Sequence, residues 1–78
     1  MALVSKIARV RKERPKVHKA TTCELSTFIV DGEAYLQLDT FGSKDRQEKG
    51  EVSQSIQFDR GAMIALRSFI DEALKAGH

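Results

Sequence analysis

Two runs of alternating residues meet at Asp31-Gly32, and this junction constrains the fold more than any other feature of the chain. In TTCELSTFIV, residues 21–30, Cys23, Leu25, Thr27 and Ile29 alternate with Glu24, Ser26, Phe28 and Val30. In EAYLQLDTF, residues 33–41, Ala34, Leu36, Leu38 and Thr40 alternate with Tyr35, Gln37, Asp39 and Phe41. A period of two predicts strands. Asp-Gly suits the two positive φ angles of a type I′ turn. The expectation is a β-hairpin with one apolar face and one polar face carrying aromatic rings.

Residues 42–50, GSKDRQEKG, are polar and bracketed by glycines, the composition of a loop. Residues 51–58 alternate again. Val52, Ile56 and Phe58 belong with the apolar side and Ser53, Ser55 and Gln57 with the polar side, while Gln54 interrupts the apolar row. Asp59 has the chemistry of a helix N-cap. Beyond it Met63, Leu66, Phe69, Ile70, Ala73 and Leu74 recur at three- and four-residue spacing, an amphipathic stripe that Gly77 closes. The fold class expected is therefore α+β: an antiparallel β-sheet, a hairpin plus a further strand, followed by one C-terminal amphipathic helix. Residues 19–78 form a single β-β-β-α domain, preceded by a basic N-terminal arm over residues 1–18. Within the arm, Leu3, Val4, Ile7 and Val10 fit either a short helix or a strand added to the sheet edge. Pro15 ends whichever forms.

At 78 residues there is room for one domain, burying only roughly 60% of its unfolded surface. Cys23 has no partner within the chain for a disulfide. Cys23, His18 and His78 are too few soft ligands for a zinc site. Self-association can supply the missing core. The expectation is a homodimer whose interface uses Met63, Leu66, Phe69, Ile70 and Leu74. No run approaches the roughly 18 apolar residues of a membrane span, and no apolar signal-peptide core is present. A cytoplasmic protein without a membrane partner is expected.

Charge is divided unevenly along the chain. Residues 1–19 hold seven basic residues against Glu13 alone, a net +6; residues 20–78 hold six against ten acids, a net −4. A basic arm on an acidic body suits a polyanion, because each Lys or Arg that neutralises a phosphate releases counterions. A solvated terminus has the same composition. The acid-free residues 1–12 also resemble a mitochondrial presequence, although one Ser is few for that class.

Enzyme motifs are absent: there is no phosphate-binding glycine loop, and both histidines lie in the tails. No catalysis, metal, cofactor or small-molecule substrate is expected. The polar face can be plain solvated sheet or a recognition platform, with rings to stack bases and amides to meet base edges. On the second reading Tyr35 and Phe41 stack bases, while Gln37, Ser53, Ser55 and Gln57 supply hydrogen bonds. Lys44, Arg46 and Lys49 from the loop, with Arg9, Arg11, Lys12 and Arg14 from the arm, meet phosphates.

The string YLQLDTFGSKDRQEKGEVSQSIQFD, residues 35–59, resembles a family of short bacterial proteins of unsettled function with the pattern LQLDT-aromatic-GS, a basic loop to Gly, and SQ-x-x-Q-hydrophobic-D before a C-terminal helix. The broader layout is similar to the PC4 transcriptional coactivator fold. Gly32, Leu36, Leu38, Phe41, Gly50, Ile56 and the Leu66/Ile70 stripe fall at corresponding points. That resemblance implies a dimer joined through its helices, single-stranded DNA (or RNA) as ligand, and a transcription-related role. The alternative is a module that docks a partner polypeptide on its sheet edge or polar face.

Overall fold

The computed structural model describes residues 1–41 and 52–77. Asp31 and Gly32 take φ of 51° and 79°, the two positive angles that the Asp-Gly pair predicts. They join β2 (Cys23–Val30) to β3 (Glu33–Phe41), which pair antiparallel from Val30↔Glu33 to Cys23↔Thr40. β4 (Val52–Phe58) lies antiparallel on the other side of β3, with Leu36↔Phe58, Leu38↔Ile56 and Thr40↔Gln54 in register. Gln54 thus interrupts the apolar row where the row already ends, opposite Thr40. Beyond that pair the register shifts between Thr40 and Phe41.

The arm contributes a strand. β1 (Ala2–Val4) pairs parallel with β4, Ala2↔Ile56 to Val4↔Phe58, and the sheet runs β1-β4-β3-β2. The sheet is therefore mixed and four-stranded, where the alternation predicts three antiparallel strands. Of the two readings open for residues 3–12, the strand forms, over Ala2–Val4 alone. The Val4 carbonyl also accepts from the Asp59 N–H at 3.3 Å, tying the arm to the start of the helix.

α1 (Arg60–Ala76) begins where Asp59 caps it, its Oδ1 accepting from the Ala62 N–H at 2.9 Å. At the far end the Gly77 N–H donates to the Ala73 carbonyl at 3.1 Å. Gly77 has φ −97°, so it closes the last turn without the left-handed conformation common at such ends. The helix rests on the apolar side of β3 and β4. Among the described residues only Phe58 (8% exposed) and Ala62 (1%) are buried.

That core is small for the surface around it. The chain exposes 7091 Å², against roughly 4,700 Å² for a folded monomer of 8.7 kDa. Its radius of gyration is 14.7 Å, against about 11.5 Å for a compact domain of this length. Leu25 is 60% and Ile29 73% exposed on the apolar side of β2, beyond the helix's cover. Among the described residues no helix is long and apolar enough to cross a membrane.

Candidate nucleic-acid interface

The face turned away from the helix is built by registered pairs. Phe28↔Tyr35, Ser26↔Gln37 and Glu24↔Asp39 come from β2 and β3; Gln37↔Gln57 and Asp39↔Ser55 join β3 to β4. Leu3, opposite Gln57, extends the face onto β1. Tyr35, Gln37, Ser55 and Gln57 thus share one surface, as their alternation requires. Ser53 does not fall into the same ladder: the register steps past it, and Val52 stands opposite Phe41.

Two features organise this surface. Gln57 Nε2 donates to Gln37 Oε1 at 2.8 Å, and Gln37 Nε2 donates to both Asp39 carboxylate oxygens at 3.0 and 3.2 Å. This chain fixes the orientation of both amides, so they present defined edges. Beside it the rings of Phe28 and Tyr35 stack, centroids 5.8 Å apart and planes 28° from parallel. Phe28, Tyr35, Gln37, Gln57 and Phe41 are all half-buried, held by neighbours yet open on one side. Phe28 belongs to the site although Tyr35 and Phe41 are the rings that sequence reasoning selects. Its signal is the register: three residues before the turn on one strand and three after it on the other must meet.

The electrostatics of the face are acidic. Glu24, Glu33 and Asp39 lie on it, and its described residues include no Lys or Arg. Such a surface repels phosphates and tolerates neutral bases. The described basic residues expected to meet phosphates lie off this face. Lys44, Arg46 and Lys49 lie outside the described residues. Arg11, Lys12 and Arg14 are exposed on irregular backbone. Arg9 is engaged with the helix: its guanidinium lies over the Phe69 ring, 5.0 Å from the centroid, and its Nη2 bonds Glu72 Oε1. That places it on the helix side of the sheet, away from Tyr35.

The residues of the expected dimer stripe are divided. Phe69 sits beneath Arg9 and is half-buried, as are Met63 and Leu66, whereas Ile70 and Leu74 are exposed. No group of three or more His, Cys, Asp or Glu residues suited to a metal occurs among the described residues. Comparison of the chain with protein-family models, with curated proteins and with solved structures finds no match in any of the three.

Proposed function

We propose that the chain binds single-stranded nucleic acid, bases against the Tyr35 side of the sheet and phosphates on the arm. The observation that carries this reading is the half-exposed Phe28–Tyr35 stack beside two amides of fixed orientation. A strand laid base-down on that surface brings π faces to the rings and base edges to Gln37 and Gln57, while its phosphates point away from Glu24, Glu33 and Asp39. The exposed Arg11, Lys12 and Arg14 supply the charge that the face lacks.

The test is fluorescence anisotropy with a labelled oligonucleotide over a salt series. One stacked base is worth about 1–3 kcal/mol, so Tyr35→Ala weakens binding about 5- to 150-fold and leaves the salt slope unchanged. Arg11→Ala flattens that slope by about 0.7 for each phosphate no longer neutralised. Arg9→Ala flattens it less, because Glu72 and Phe69 already hold that side chain. Absence of affinity at about 50 mM salt, where electrostatic binding is strong, refutes the reading. A protein partner is the second reading, favoured by the exposure of Leu25 and Ile29 on the opposite face. Purified protein with a raised 260/280 absorbance ratio from carried nucleic acid favours the first; a clean spectrum with a polypeptide bound favours the second.

A further inference from the structure

We infer that two copies of this chain join through the outer edge of β2, making one continuous sheet with the two helices on the same side. The inference is independent of the nucleic-acid reading and begins with the backbone of the hairpin. Across a two-residue turn the flanking residues, Val30 and Glu33, form a hydrogen-bonded pair, and bonded pairs then alternate with unbonded ones. Phe28 and Ser26 therefore bond to β3. Leu25, Thr27 and Ile29 point their N–H and carbonyl groups off the edge of the sheet, for β2 ends the strand order.

Natural edges are blunted by proline, lysine, bulges or brevity. β2 is weakly protected: it runs eight residues, contains no proline or lysine and one charge, Glu24, and pairs with β3 without a register shift. It is also self-complementary. A two-fold axis through Thr27 sets Thr27 against the partner's Thr27, and Leu25 against the partner's Ile29 on both sides of the axis. Every residue in this register is one whose backbone groups point outward. Leu25 and Ile29, which the helix of their own chain leaves 60% and 73% exposed, then meet one another across the axis.

The helices follow. One flank of α1 forms a groove of about 410 Å³ with Leu36, the residue paired with Thr27 of β2, lined by Met63, Ile70, Arg67 and Asp71 among others. The same axis turns this flank toward its counterpart, with the two helices antiparallel. Arg67 and Asp71, one turn apart on the groove rim, then face Asp71 and Arg67 of the partner subunit, an arrangement that two-fold symmetry satisfies twice. A standard interface takes about 800 Å² from each partner, and Leu25 and Ile29 on β2 with Ile64, Ile70 and Leu74 on α1, 45–73% exposed, offer apolar surface to it.

The experiment measures mass by light scattering on the full chain from nanomolar to micromolar concentration, alongside circular dichroism and amide exchange. The expected species at micromolar concentration has twice the 8.7 kDa of one chain. Thr27→Pro deletes an outward N–H that β3 does not use, so helix content stays while the dimer dissociation constant rises at least tenfold. Leu25→Lys, which keeps every backbone donor, does the same and serves should the proline variant fail to fold. Arg67→Asp and Asp71→Arg each weaken the dimer, and the double variant recovers it. Amides of Leu25, Thr27 and Ile29 exchange at least tenfold more slowly in the dimer than in the dissociated chain. A monomer at micromolar concentration overturns the inference. So does a dimer whose affinity neither β2 substitution alters, or one in which those three amides exchange freely.

Discussion

Replacing Phe58 with alanine removes the larger of the two side chains buried among the described residues, and its cost can be worked from the structure. Phe58 is 8% exposed, pairs with Leu36 on one side and Val4 on the other, and lies one residue before the helix cap. Four elements therefore meet at this position. A buried Phe→Ala change costs about 3–5 kcal/mol, the higher values arising where the surroundings cannot collapse. At about 0.05–0.15 kcal/mol per residue, a chain of this length has only about 4–12 kcal/mol in all. The substitution thus removes about a quarter or more of the stability and can unfold the protein outright. The assay is urea unfolding followed by circular dichroism at one fixed protein concentration, since association shifts apparent stability. With a slope of about 1–1.5 kcal/mol per molar for a small chain, the midpoint falls by roughly 2–5 M. Val17→Ala, at a residue 96% exposed, is the control and moves stability by no more than about 0.5 kcal/mol. If both variants unfold at the same urea concentration, the ring does not anchor the fold and the reasoning fails.

Two further substitutions test the local devices. Asp59→Ala removes the acceptor for the Ala62 N–H and costs about 1 kcal/mol in the same urea titration, while Asp59→Asn, which also caps, restores most of it. Gly32→Ala costs about 1–2 kcal/mol, because the residue must hold φ of 79°; a Cβ there meets nothing within 4 Å, so the loss is backbone strain alone and a thermal melt reports it.

What can be read from the sequence tracks the range of the interactions involved. The Asp31-Gly32 turn, the alternation of β2, β3 and β4, and the Asp59 cap are all local, and each appears where its residues indicate. Tyr35, Gln37, Ser55 and Gln57 can be placed on one face because a strand has only two. Ser53 escapes that rule, since a register shift depends on the partner strand and leaves no mark in the alternation. β1 is equally hidden: three apolar residues fit helix and strand alike until β4 offers an edge. The engagement of Arg9 with Glu72, 63 residues away, has no local signal at all, because a cluster of cations in a sequence does not show which one the fold will occupy.

The parallel seam between β1 and β4 also bears on the order in which the molecule assembles. Ala2 must find Ile56, 54 positions along the chain, whereas the hairpin closes across two residues. By the logarithmic growth of loop entropy, the longer search costs roughly 3 kcal/mol more in the unfolded chain. Once β2, β3, β4 and α1 are in place, only residues 5–22 remain to be spanned, so the opening tripeptide docks as the final step. A folding trajectory should therefore show the hairpin–helix unit first and the seam last, with β4 exposed along one side in the interval.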